Sequence, residues 1–270
     1  MVQDGKRQRI PLEGQESRLM PYKHGRPVID LSFWFRTASA MTFYMVIPIA
    51  MLFNISQHFT RYKHRWRLRG IRRAVTVSNH TTFFDPVKIA ALPLPLLVFQ
   101  TLLEGTVEFP VLGTFVRLLG GVPIPRGRTG YRKILEICER AFKYRRYLHF
   151  YPEGECFLYN QRIKEFHSGA FRIAAELDIP VVPMVTVFSQ GMFKPFSFWG
   201  RSLPTETLVV LEPVHPSKYV RRDENGEISS ESVKEFAEAV RRIMQNEIDR
   251  RGGTHAFFRG QMKRVKGLND

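Results

Sequence analysis

Cysteine is scarce in this chain. Of 270 residues only Cys138 and Cys156 are cysteines, too few for a disulfide framework, so a reducing compartment is the simpler expectation. No C-x-x-C pair and no zinc-like ligand spacing occurs, and no metal is expected. Residues 1–26 lack the apolar core and small-residue cleavage site of a secretory signal. No internal repeat is present. Without a zinc finger, an RRM signature or an evident helix-turn-helix, the sequence argues against nucleic acid as partner. Acidic residues are the minority: 25 Asp and Glu stand against 41 Lys and Arg, a formal net charge of +16. Such a chain seeks an anionic partner, and an anionic membrane surface or an anionic substrate then becomes the expectation.

What is present begins with a polar, basic stretch over residues 1–26, read as a flexible tail. Residues 27–59 change character. Thr37 to Gln57 carries no charge and contains MTFYMVIPIAMLF, near the ~20 apolar residues that a spanning helix needs. Three readings fit: an interfacial or re-entrant helical hairpin, a single span, and a buried core helix. Arg61, Lys63, Arg65, Arg67, Arg69, Arg72 and Arg73 crowd behind it, with Tyr62 and Trp66 interleaved. Basic residues beside an apolar segment favour anionic headgroups and the cytoplasmic side of a membrane. Residues 27–73 are therefore expected to form a membrane-associated helical segment with a basic flank.

From Ala74 onward, β-branched runs alternate with amphipathic ones. Strands are expected at Ala74–Val77, before Thr101, at Val122–Ile124, Leu148–Tyr151, Pro180–Phe188 and Leu208–Leu211. Helices are expected after Asp85, over Phe109–Leu119, Gly130–Arg146, Ser168–Leu177 and Ser230–Arg251. This alternation predicts an α/β domain over residues 74–251: a mixed, largely parallel sheet flanked by helices. Residues 252–270 read as a basic C-terminal tail.

The most informative stretch is Ala74 to Pro86, AVTVSNHTTFFDP. A strand ends, the chain turns, and Asp85-Pro86 opens a helix with Asp85 as N-cap and Pro86 as its first residue. His80 sits on that connection and Asp85 closes it. A carboxylate on one imidazole nitrogen fixes the tautomer and frees the other nitrogen to take a proton from a hydroxyl. The plain alternative is that Asp85 merely caps its helix and His80 is an ordinary loop histidine.

Four short stretches in one order then weigh on that choice: SNHTTFFDP, GGVPIPRGR, FYPEGE and IPVVPMV, extending from Asn79 to Val185. Together they resemble the blocks of the glycerolipid acyltransferase family, which includes 1-acylglycerol-3-phosphate acyltransferases. The resemblance implies transfer of a fatty acyl group from acyl-CoA or acyl carrier protein to a lysophospholipid hydroxyl, with no cofactor beyond that thioester co-substrate. It makes His80 the general base and Asp85 its orienting partner. It places Asn79 in the first block, Arg126 on the acceptor phosphate with Arg128 as a second candidate, Glu153 and Gly154 at the acceptor, and Pro183 beside the acyl pocket. Backbone N–H groups near Gly120-Gly121 or Gly154 are candidates for the oxyanion. The third block departs from the family pattern: Glu155-Cys156 stands where many lysophosphatidic acid enzymes have Thr-Arg, which opens the choice of acceptor.

The leading acceptor is 1-acylglycerol-3-phosphate. Rival readings are the same fold on another lysophospholipid, a lyso-aminolipid or glycerol-3-phosphate, and a non-catalytic module binding anionic lipid or nucleic acid. The location expected is the cytoplasmic side of a membrane, anchored by residues 27–59.

Overall fold

The computed structural model of the chain describes residues 29–103, 106, 111–124, 130–190 and 204–263. The basic tail over 1–26 lies outside these. The first described element, α1 (Phe33–His58), is one unbroken helix of 26 residues, ~39 Å long at 1.5 Å per residue. Ser32 caps it, its hydroxyl accepting the Phe35 N–H, and Phe59 closes it in the left-handed conformation with its N–H on Ile55. Pro48 lies inside the helix without breaking it, so no hairpin forms within this segment. Ser39, Phe43, Ile47, Asn54 and His58 are its buried residues. Their helical spacing sets them on one face, against the rest of the protein.

Among the described residues seven strands form one sheet in the order β1-β7-β6-β2-β5-β3-β4. They are β1 (Arg61–Lys63), β2 (Ala74–Ser78), β3 (Val98–Leu103), β4 (Gly121–Ile124), β5 (Tyr147–Phe150), β6 (Val181–Ser189) and β7 (Thr205–Val210). Among these described strands only the β6–β7 pair is antiparallel. The other helices among the described residues are α2 (Asp85–Ala91), α3 (Leu112–Leu118), α4 (Gly130–Ala141), α5 (Gly169–Glu176) and α6 (Ser230–Arg250). The period-2 alternation of the strands divides the interior in two. Val75, Val77, Leu148, Val181, Val185 and Val209 face the layer of α4, α5 and α6, where Phe171, Phe236 and Met244 are fully buried. Ala74, Val98, Tyr147, Val182, Met184 and Leu208 face the other layer, where Phe43 and Ile47 of α1 meet Ile89 and Ala90 of α2. The α/β fold with a largely parallel sheet is as expected.

Several local expectations change. The basic stretch after α1 is not a helix face: Arg61–Lys63 is the edge strand β1, and Arg65–Leu68 is a 3-10 turn. No domain boundary therefore falls at residue 74, because β1 belongs to the same sheet. The helix expected to reach Arg146 stops at Ala141. Prolines in sheets usually occupy edge strands, and Pro183 does not. It lies in β6 between β7 and β2, paired with Val77, and a residue without an N–H is accommodated at the place where the β6–β7 pairing begins. Residues 252–263, expected as part of a tail, are laced to the domain. The N–H of Thr254 meets the Phe188 carbonyl, Leu158 and Arg259 bond across, and the Met262 N–H meets the Cys156 carbonyl.

Candidate active site

Strand β2 ends at Ser78, and the chain leaves the C-terminal edge of the parallel strands, where ligands bind in open α/β sheets. Asn79 spends both ends of its amide on the next strand. Its oxygen accepts the Thr186 N–H at 2.9 Å and its nitrogen donates to the Thr186 carbonyl at 3.2 Å. Asn79 is thus a buried strand-locking residue and holds the loop from which His80 departs.

His80 and Asp85 come together. The His80 Nδ1 lies 2.9 Å from Asp85 Oδ2. Asp85 is not the helix N-cap expected: it is the first residue of α2, and the cap position falls on Phe84 without a side-chain bond. Its carboxylate turns back into the loop instead. Oδ2 accepts the N–H groups of Thr81 and Thr82, and Oδ1 accepts the Thr82 hydroxyl at 2.8 Å. That set of donors holds the carboxylate rigidly, and the carboxylate in turn holds the ring. The His80 side chain is 19% exposed and that of Asp85 is 2% exposed, so the ring is reachable while its partner is not.

Burial alone would raise the pKa of Asp85. The Lys88 ammonium, with the hydrogen bond from His80, overrides burial and holds the carboxyl well below the usual carboxylate range. With Asp85 ionised, Nδ1 carries the ring proton and Nε2 holds the lone pair. Tyr151 stacks on the imidazole, and its phenol is pushed well above its ordinary pKa by burial and then by the Asp85 charge.

Glu153 does not hold a basic side chain. Its two oxygens accept backbone N–H groups, from His80 at 3.1 Å and from Lys164 at 3.0 Å. It therefore ties the His80 loop to the segment after β5. Burial pushes its carboxyl up to about 7, with the two backbone bonds pulling the other way. Gly154 follows at φ +73°, a left-handed conformation that favours glycine, and a Cβ there would come within 2.9 Å of the His167 ring. The N–H of Gly154 is committed to the Tyr151 carbonyl and that of Gly120 to the Arg117 carbonyl, each at 3.0 Å. Neither is open to an oxyanion in this arrangement. Arg126 and Arg128 lie outside the described residues. Pro183 sits level with Val77, three residues before the Thr186 that Asn79 grips, and makes no contact with the His80 pair that would define a role. Cys138 and Cys156 are buried free thiols; burial pushes Cys138 up to about 12 and raises Cys156 further, so neither is an activated nucleophile.

Sequence reasoning missed the residues behind Asp85. Lys88 and Glu206 are buried and ion-paired, and His149 is buried between Thr76 and Ser78, its nitrogens 2.9 and 3.1 Å from their hydroxyls. Two signals were there: a lysine inside the apolar run Val87 to Leu92, and a glutamate opening a β-branched strand.

The fold and this geometry define an α/β domain with a histidine–carboxylate pair at the strand ends. Residues 58–187 match the family model described as Acyltransferase. The chain is 29% identical over 150 residues to the chloroplastic 1-acyl-sn-glycerol-3-phosphate acyltransferase LPAT1 of Arabidopsis thaliana, covering 54% of this chain and 40% of that one. It is 30% identical over 149 residues to the chloroplastic 1-acyl-sn-glycerol-3-phosphate acyltransferase BAT2 of Brassica napus, covering 53% and 41%. The chain thus spans about two fifths of the length of the curated relatives it matches. Its fold is similar to the crystal structure of the 1-acyl-sn-glycerophosphate (LPA) acyltransferase, PlsC, from Thermotoga maritima, with a TM-score of 0.52, 17% identity and coverage of 82% of this chain and 81% of that one. The stretch from residue 58 to 187 is thus similar to acyltransferases, and the curated relatives it matches are 1-acyl-sn-glycerol-3-phosphate acyltransferases.

Proposed function

We propose that this protein transfers a fatty acyl group from a thioester, acyl-CoA or acyl carrier protein, to the free hydroxyl of 1-acylglycerol-3-phosphate, giving phosphatidic acid. The observation that carries this reading is the 2.9 Å contact between His80 Nδ1 and the buried Asp85 carboxylate, on a ring that remains 19% exposed. The acceptor hydroxyl attacks the thioester carbonyl as His80 Nε2 removes its proton. The resulting imidazolium is stabilised by Asp85. The tetrahedral intermediate expels the thiolate, which recovers the proton from His80. General-base assistance of this kind is worth ~10²–10⁴-fold. The scheme calls for no metal, no cofactor and no acyl-enzyme.

The acceptor phosphate is assigned to Arg126, with Arg128 as the second candidate, because a guanidinium fork matches a phosphate. The relatives' names supply the lysophosphatidic acid acceptor. The membrane reading is supported by α1, long and apolar enough to cross a bilayer. Its outer face leaves Trp34, Met41, Met45, Ile49 and Leu52 exposed by 64 to 79%. A soluble domain rarely leaves such a patch uncovered. The basic residues that follow α1 support an anionic leaflet at the cytoplasmic side as the location.

The test is a donor-by-acceptor matrix on purified full chain in detergent or liposomes, with His80→Ala alongside. Transfer to lysophosphatidic acid that falls by at least a hundredfold in the variant, at unchanged liposome binding, is the expected result. Absence of transfer to that acceptor would remove it, and equal turnover in both proteins would remove His80 as base.

A further inference from the structure

Lys88 stands one turn beyond Asp85 on α2 and is 1% exposed. Its Nζ lies 2.6 Å from Asp85 Oδ1 and 2.8 Å from Glu206 Oε2, and the Glu206 side chain is 0% exposed. The other Glu206 oxygen accepts the amide of Asn54, on α1, at 2.7 Å and the hydroxyl of Thr60. A buried line of polar groups therefore runs from the exposed imidazole through Asp85, Lys88 and Glu206 to the apolar helix.

Stability alone gives a poor reason for this line. Desolvating a lysine and two carboxylates costs several kcal/mol per ion, and well-packed apolar residues often do as well in their place. The charges have a different consequence. An ammonium against Asp85 by itself would cancel the negative charge that an imidazolium needs. Glu206 restores it: with His80 neutral, two carboxylates and one ammonium leave the buried group at a net charge of minus one. When His80 takes a proton the whole group becomes neutral. We propose that Lys88 and Glu206 are positioning residues that set the charge behind the His80–Asp85 pair, Lys88 keeping Asp85 ionised and locked in place, and Glu206 keeping Lys88 from neutralising it.

Other groups face the same cluster. From α1 comes His58, from β1 Tyr62, from β5 His149, and from the segment after β5 Tyr151, Glu153, Cys156 and Tyr159. Burial raises the phenols and the thiol and pushes His149 down to about 3, so these stay neutral near pH 7. Glu153 is a further carboxyl near the pair, and its oxygens are held by backbone N–H groups rather than by Lys88.

The kinetic consequence rests on the acyl-transfer reading; the charge assignment itself can be read without activity. Full-length protein labelled at histidine carbons, in detergent, is titrated by NMR, with the His80 signal assigned by its loss in His80→Gln. Glu206→Gln keeps the volume and a carbonyl for Lys88, and is expected to lower the His80 midpoint by about one pH unit; Lys88→Met is expected to raise it by a similar amount. The double variant Lys88→Met/Glu206→Gln should return to within about half a unit of the wild type. A merely structural role would change unfolding and leave the midpoints in place, and unmoved midpoints in folded single variants overturn the proposal. If Lys88→Met does not fold, Glu206→Gln decides alone. In turnover assays the acid limb of kcat/KM should follow the same order. Midpoints that move while no protein, wild type included, transfers acyl groups would overturn the acyl-transfer reading and uphold the charge assignment.

Discussion

The phenol ring of Tyr151 lies flat on the imidazole of His80, with ring centroids 4.1 Å apart and planes 24° from parallel. One face of the base is thereby closed. Asp85 fixes the ring by an edge and Tyr151 by a face, so its rotation is constrained in both senses. Among the described residues the phenolic oxygen makes only a long 3.4 Å contact, to Gln100, which separates the ring's role from the hydroxyl's.

Tyr151→Phe should therefore keep acyl transfer within about threefold of the wild type, since the long contact is weak. Tyr151→Ala should lower kcat by about tenfold to a hundredfold, because a base out of alignment by an ångström loses that much. Steady-state kinetics of the two variants check this. An equal loss in both would shift the role to the hydroxyl.

Asp85→Asn removes the charge opposite the imidazolium and sets an amide against Lys88. Turnover should fall about a thousandfold. The fold should also lose about 3 kcal/mol, because Lys88 then keeps one carboxylate in place of two. Chemical denaturation and single-turnover assays on the same preparation read the two effects separately.

Glu153→Gln leaves one of two part-buried backbone N–H groups, of His80 or of Lys164, facing an amide that donates. A loss of about 1–3 kcal/mol in unfolding free energy is expected. Kinetically the change should appear in kcat before KM, as the His80 loop loosens. A variant as stable as the wild type would mean that water replaces the lost acceptor.

His149 gives a pH dependence of known sign. Burial, with the His80 charge next, lowers its pKa from 6.5 to about 3. Between those values the unfolded chain binds a proton at this residue that the folded chain does not. The group's contribution is thus fully present above pH 6.5 and falls by about 1.4 kcal/mol per unit as pH drops through the window. Urea unfolding between pH 6.5 and 4 should show a shallower slope in His149→Asn, by about one proton.

The outer face of α1 predicts a change in binding without a change in folding. Met45, Ile49 and Leu52 are 64, 65 and 69% exposed, so replacing all three by Ser should leave thermal unfolding nearly unchanged. At ~1.5–3 kcal/mol for each side chain withdrawn from water, vesicle partitioning should fall by at least a hundredfold. Sedimentation with anionic liposomes measures it, and unchanged binding would move the membrane contact elsewhere.

By itself the sequence determined what short-range physics encodes. Apolar and β-branched runs marked β2, β5, β6 and β7, an uncharged apolar run marked the segment of α1, helical spacing marked α4 and α6, and the turn from Ser78 to Pro86 set His80 and Asp85 within reach across five residues. What the tertiary structure alone decided is long-range: that Asp85 turns into its loop rather than capping α2, that Pro183 is central rather than at an edge, and that residues 252–263 dock. Above all, Lys88 meets Glu206 across a separation of 118 residues. Periodicity reports which face of an element is buried; which two buried charges share a site depends on strand order and on the antiparallel entry of β7, and these are properties of the assembled sheet.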